Sequence, residues 1–511
     1  MGRRQELTMD QSNQGFGMRV RRIAATTRSC HSDIAHRRST WRPLIVALAA
    51  LPAIGCASLS GVSPPRAAMA DPARLTAPVA LAGVPVSPAA WPTAEWWRKY
   101  GDPQLDALVA EVLADNPSLS MAQARIDQAM AVSGGAQAAR GLQANLSAKA
   151  TQQLFSAHST TPHPLAGTWD WFNDATLATS YDLDFWGKNR SLIAASLDRV
   201  HAGQIDAQAA RLMLAFSTTQ AYFHLAQAHD QLALAQNALD QRQQLLDLVR
   251  QRVAAGLDSD VDLKQAEAAL PPARQQILAE REAIDLSRSQ LAALTGKGPD
   301  RGRSIQRPSL SLSQTVTLPA TVPADLLGRR PDVVAQRWRV EASLKDIKAA
   351  KAQFYPNVSL NTYVGYQSLG LDKWLTGGSQ IAGIGPAVTL PLFDGGRLRA
   401  NLGARNADRD LAVEQYNQTL IDAMRDVVDQ ITAQQWFVQQ KAEQIEAVQT
   451  AQTAYDLALQ RYQRGLTPYL QVLTAQGQVL AEQKQLIDLQ IHALQLDANL
   501  VRALGGGALD S

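Results

Sequence analysis

Residues 461–476 read RYQRGLTPYLQVLTAQ, and residues 252–267 read RVAAGLDSDVDLKQAE. Arg461 aligns with Arg252, Gly465 with Gly256, Leu466 with Leu257 and Ala475 with Ala266, all at a spacing of 209. Each segment lies between two long helical patterns, so each is predicted to form the tip of an antiparallel helical hairpin. Glycine suits a helix C-terminus because a left-handed residue there ends the helix without a Cβ clash. A single Arg-x-x-x-Gly-Leu is an ordinary helix stop; two in register mark a duplicated chain.

Other pairs keep nearly the same period. Pro117, Arg125, Ile126 and Asp127 answer Pro331, Arg339, Val340 and Glu341 at 214, and Phe185 and Gly187 answer Phe393 and Gly395 at 208. A period this long is a repeated domain, not a solenoid. Between the landmarks, apolar residues recur every seventh position. Leu225, Leu232, Leu239, Leu246 and Val253 form one seam, and Leu263, Leu270, Ile277, Ile284 and Leu291 a second. Leu473, Leu480, Ile487, Leu494 and Val501 form a third; Met424, Ile431, Val438, Ile445 and Leu459 form a fourth, interrupted by Gln452. Such a repeat predicts coiled-coil packing. Helices over 199–255 and 400–463 would run about 85 Å and 96 Å, far beyond the needs of an ordinary domain. Pro271-Pro272 predicts a kink or restart in the second seam.

The formal net charge of +3 misleads. Residues 1–55 hold nine Arg against three Asp or Glu, and the remainder is slightly acidic, which removes the case for a nucleic-acid partner. Arg37, Arg38 and Arg42 precede an apolar run from Leu44 to Ile54, too short to span a bilayer and shaped like an export signal. It ends in Ala53-Ile54-Gly55-Cys56, similar to a bacterial lipobox, so Cys56 is the candidate lipidation site. Cys30 falls in the part expected to be removed, leaving no disulfide or cysteine-rich metal site. The predicted order is a leader and signal at 1–55, a lipidated tether at 56–92, a first repeat at 93–296, a linker at 297–328, a second repeat at 329–504 and a mobile tail at 505–511.

Ordered structure is expected from TAEWWRKYGDPQLDALV onward, with a helix starting at Asp102-Pro103. Each repeat then holds two extended segments. Val358, Leu360, Thr362, Val364 and Tyr366 alternate with Asn357, Ser359, Asn361 and Gln367, a length that suits a tilted membrane-spanning strand. IGPAVTLPLFDGG is its partner. In the first half, strands are predicted near 146–156 and 175–185, with Trp169, Trp171 and Phe172 on the loop between them.

Each half thus reads helix, strand, strand, long helix, tip, helix. With WWRKYGDPQLDALV, YDLDFWGKNR, GRRPDVVAQRWRVEA and LPLFDGGRLRA in this order, the chain resembles the TolC/OprM-like outer-membrane efflux family, in its NodT-type lipoprotein branch. Physics supports the likeness, because four strands cannot close a barrel and open edges are not tolerated in lipid. The resemblance implies a mainly α protein with a membrane β-barrel: a homotrimer sharing twelve strands, continued by a helical tunnel across the periplasm. It implies a passive conduit serving a periplasmic adaptor and an inner-membrane transporter of the RND type, in the outer membrane, with no cofactor beyond the lipid on Cys56. The adaptor-contact positions would be Arg252, Gly256, Leu257, Arg461, Gly465 and Leu466. Where many relatives carry pore-narrowing aspartates after the second tip, this chain has Gln471 and Thr474; Asp258, Asp260 and Asp262 crowd the first tip instead, where they also fit ordinary helix N-terminal charge. The constriction candidates are Asp262, Leu470, Gln471 and Thr474.

Competing classes fare worse. His224 and His229 are five apart, not the four that aligns two metal ligands on a helix face. There is no phosphate-binding Gly-rich loop ending in Lys-Ser or Lys-Thr, Gly383-Ile384-Gly385 is only a fragment of a dinucleotide fingerprint, and Asp182 and Asp184 lack a nucleophile and orienter. A duct of a type I secretion system or a structural coiled-coil surface protein would share the heptads; only the latter fails to explain the repeated strand pairs.

Overall fold

The duplication is one of elements. The computed structural model describes residues 59–71, 91–158, 160–311 and 328–507, all within the unit Cys56–Ser511. The first repeat comprises α1 (Pro103–Asp115), α2 (Pro117–Arg140), β1 (Gln143–Leu154), β2 (Trp169–Asp182), α3 (Lys188–Ala254), α4 (Asp260–Ala268) and α5 (Leu270–Leu294). The second comprises α6 (Pro331–Ala352), β3 (Asn357–Leu369), β4 (Gln380–Thr389), α7 (Arg397–Gln463) and α8 (Tyr469–Ala503). The candidate Cys56 lies outside the described residues, as do 312–327 of the linker and 508–511 of the tail.

The long helices α3 and α7 each count 67 residues, about 100 Å of rise. Both begin nearer the sheet than their heptads imply, because a carboxylate closes each N-terminus. Asp184 accepts the backbone N–H of Asn189 and Arg190 at 2.9 Å each, and Asp394 accepts those of Gly396 and Leu398 at 2.9 and 2.8 Å. The helix restart at the proline pair is present: α4 ends at Ala268, and α5 carries Pro271 and Pro272 in its first turn, where a missing N–H leaves no bond unmade. Asp102 caps α1 through the Gln104 N–H at 2.9 Å and also accepts from the Tyr222 hydroxyl and the Ser309 N–H, both at 2.7 Å. One carboxylate thereby ties α1, α3 and the linker together around a core of Trp96, Tyr100, Leu105, Phe223, Leu291 and Val501.

The four strands form one antiparallel sheet in the order β1-β2-β3-β4. Register puts Leu146 beside Leu177, Leu177 beside Val364 and Val364 beside Ala382, with Tyr181, Leu360 and Pro386 in a second row. The opposite face carries Ser147 beside Thr176, Lys149 beside Asp174 and Asp182 beside Ser359. One face is therefore apolar and the other polar, the alternation of a sheet between lipid and water. Two readings of the first half need correction. Its strands begin earlier than predicted, at Gln143 and Trp169, and Trp169, Trp171 and Phe172 belong to β2, not to the loop. They pair with Leu154, Gln152 and Thr151, so the aromatic end of the sheet is hydrogen-bonded strand.

Two terminal stretches are more tightly held than their composition predicts. Residues 62–70 run extended along α6 and α7: Asp410 accepts the Arg66 and Ala67 N–H, Asn417 accepts the Ala70 N–H at 2.7 Å, and Arg409 donates to the Ala67 carbonyl at 2.6 Å. Val62 packs beside Phe354, Leu398 and Leu402, just beneath the sheet. At the other end, Gly505 and Gly506 are buried, and a Cβ on Gly506 would meet Leu212 Cδ1 at 2.1 Å. The glycines expected to start a mobile tail are instead a close-packed helix stop.

Candidate functional site at the hairpin tips

Both tips use the same backbone device. Gly256 and Gly465 sit at φ 70° and 76°. The Gly256 N–H donates to the Val253 carbonyl and the Leu257 N–H to that of Arg252; Gly465 donates to Tyr462 and Leu466 to Arg461, all at 2.9 Å. These paired bonds satisfy the last carbonyls of each long helix and depend on the left-handed glycine. They leave Leu257 and Leu466 pointing outward, 65% and 64% exposed. Val261 and Leu470 follow one turn later, 64% and 55% exposed, so each tip ends in a small apolar pair.

Side chains break the symmetry. Arg252 donates to both carboxylate oxygens of Asp258, at 2.9 and 3.1 Å, and its guanidinium lies 4.6 Å from the centre of the Tyr462 ring. The Tyr462 hydroxyl donates to the same carboxylate, and Arg252 also reaches the Gln463 carbonyl at 3.4 Å. One Asp therefore clamps the first tip to the end of α7 in the second. Burial raises the Asp258 pKa, but the hydrogen bonds from Arg252 and Tyr462 outweigh it and hold the carboxyl below its ordinary range. Burial, and then the bond to Asp258, push the Tyr462 phenol well above its usual value. Arg461, the repeat partner of Arg252, is exposed and makes no side-chain hydrogen bond or ion pair among the described residues.

The six predicted contact positions thus gather at one end of the helices, but Arg252 is committed inward while Arg461 is free. Among the constriction candidates, Asp262 forms a capping box with Ser259, and the Thr474 hydroxyl donates back to the Leu470 carbonyl at 2.9 Å. Leu470 and Gln471 are exposed. Sequence reasoning passed over Tyr462 and gave Asp258 no partner. The available signal was the tyrosine next to Arg461 and the aspartate next to Leu257, at positions where the repeats differ. No group of His, Cys, Asp or Glu suited to a metal occurs among the described residues, and none of their helices is long and apolar enough to cross a membrane.

The sequence pattern of the outer membrane efflux protein family matches residues 108–297 and 322–506. The chain belongs to that family. It is 42% identical over 360 residues to the fusaric acid resistance protein FusA of Burkholderia cepacia, covering 69% of this chain and 67% of the relative. It is 32% identical over 428 residues to the multidrug resistance outer membrane protein MdtP of Escherichia coli (strain K12), covering 82% and 87%. The crystal structure of the outer membrane protein VceC of Vibrio cholerae superposes with a TM-score of 0.76 at 39% identity, over 82% of this chain and 100% of that one. Within the family the chain is an outer-membrane efflux channel, and its helices and sheet are the tunnel and barrel portions of that architecture. The relatives are efflux and channel proteins, which fits this reading and neither the secretion duct nor the structural coiled coil.

Proposed function

We propose that three copies close a shared twelve-stranded barrel and a helical tunnel, and that the tips meet a periplasmic adaptor served by an inner-membrane transporter of the RND type. The carrying observation is the four-stranded sheet: one face is apolar, and the outer edges of β1 and β4 have no partner among the described residues. Open edges in lipid leave backbone groups unpaired at several kcal/mol each, so other copies must complete the ring. The helices carry the same message, since the heptad residue Val438 is 68% exposed in a single chain. Native mass measurement of the detergent-extracted protein tests this; a stable monomer or dimer would overturn it. The relatives' names favour small organic toxins as cargo.

The lipid anchor fits the same picture. Val62 packs just beneath the sheet, and the six residues back to Cys56 reach about 20 Å. An acyl chain on Cys56 is thus within reach of the membrane that holds the barrel. Cys56→Ser should abolish lipid labelling while the barrel still inserts. Intact labelling would sink the anchor.

A further inference from the structure

Where strands give way to helices, the segments YDLDFWGKNR (181–190) and LPLFDGGRLRA (390–400) meet around a crevice of about 320 Å³. Its wall carries Phe185, Trp186 and Tyr355. The Trp186 and Tyr355 rings stack at 4.6 Å, and the indole N–H is fixed by the Pro356 carbonyl at 2.9 Å. Lys188 and Arg397 line the same crevice, and neither side chain makes a hydrogen bond or ion pair among the described residues. The carboxylate in the wall, Asp184, is already occupied by the Asn189 and Arg190 N–H at 2.9 Å and by the Arg190 guanidinium at 3.6 Å. Val358, from the apolar row of the sheet, also reaches its wall, which makes the crevice continuous with the lipid-facing surface.

We propose that this crevice binds the phosphate of an anionic phospholipid from the periplasmic leaflet. Lys188 and Arg397 would hold the phosphate, and the Trp186–Tyr355 stack would pack on the glycerol and upper acyl carbons. Stacked aromatics suit the boundary between headgroup and chain, and basic pockets at that depth select acidic headgroups. The nearby carboxylates, Asp394 beside Arg397 and Asp184 in the wall, are bound to backbone N–H groups, so the two cations favour a headgroup with net negative charge over a zwitterionic one that brings its own ammonium.

The test presents the delipidated full-length protein with phosphatidylglycerol, phosphatidylethanolamine and phosphatidylcholine, and reads bound lipid by native mass spectrometry. Phosphatidylglycerol is expected to be retained preferentially. Lys188→Gln and Arg397→Gln should each lower that retention about fivefold, the factor for one basic side chain near a membrane surface, while Arg397→Lys keeps most of it. Phosphatidylglycerol brominated high in its chains should quench a fluorescence component that is missing in Trp186→Phe. Equal retention of the three lipids, unchanged retention in the double Gln variant, or absence of the quench would overturn the proposal. So would displacement of the lipid by equimolar glycerol phosphate, which would make the crevice a site for soluble phosphate. If the Gln variants assemble poorly, the quench in the otherwise unaltered protein decides alone.

Discussion

At the first tip, Arg252 is partly buried and bound through two nitrogens to Asp258; at the second, Arg461 stands at the same repeat position with its guanidinium in solvent. The backbones around them are copies, down to four hydrogen bonds of one length. The difference comes from two neighbours. Asp258 follows Leu257 where Thr467 follows Leu466, and Tyr462 precedes Gly465 where Val253 precedes Gly256. Glycine keeps the same turn in both copies, while the residues around it differ. The first tip holds the arginine–carboxylate clamp, and at the second tip Arg461 is exposed, which suits the adaptor contact proposed above.

The largest effect should come from the backbone both tips share. Gly465→Val forces a β-branched residue to φ 76°, at a local cost of about 1–2 kcal/mol, too little to unfold helices of this length but enough to misplace Leu466. Export-dependent resistance should fall toward that of a deletion strain at normal protein level; Gly256→Val should fall less. Wild-type resistance in the double variant would reduce both turns to plain helix stops.

Next in size is Asp258→Ala, which leaves Arg252 and Tyr462 without their shared acceptor at a cost of about 1–3 kcal/mol. Faster hydrogen exchange at the ends of α3 and α7 is expected, with larger single-channel conductance, whereas Thr467→Ala at the matching position should change neither. Equal effects of the two would dissolve the asymmetry. Charge removal sharpens it further: Arg461→Ala should weaken adaptor binding without altering tip exchange, and Arg252→Ala should do the reverse.

The smallest response is to pH. The Asp258 carboxyl is held below its ordinary value in the folded protein, so its contribution is complete above the unfolded pKa and is lost as pH falls through the lowered one. Tip exchange corrected for intrinsic rates should stay flat from about pH 8 to 5 and rise only below about pH 4. A transition near neutrality would assign the clamp to another group.

Much of this architecture was legible in the chain. Seven-residue seams gave the long helices, because side-chain period and packing partner are the same fact there. Alternation gave β3, whose apolar members Val358, Leu360 and Val364 contrast sharply with Asn357, Ser359 and Asn361. It failed in β1, whose apolar face is mostly small alanines, and in β2, where alanines and threonines occupy both faces and carry little contrast. The clamp was hidden for another reason: Asp258 and Tyr462 lie 204 residues apart, and neither departs from what a helix end tolerates. The ordered run at 62–70 is held by its backbone, through Asp410 and Asn417, so its own side chains gave no sign of a docking site.

The two long helices run for an equal 67 residues between a capped start and a glycine stop. They behave as a matched pair of rulers. One residue inserted into α3 alone would advance its tip by about 1.5 Å and swing it by about 100° around the axis, carrying Arg252 away from the Tyr462 ring while every seam above still packed. Seven residues inserted into both, matched by seven in each return arm (α4–α5 and α8), would preserve the facing contacts and lengthen the tunnel by about 10 Å. Reach in this protein is therefore inherited in paired steps of a heptad, and a lineage that must span a wider periplasm has to edit both halves of its gene together.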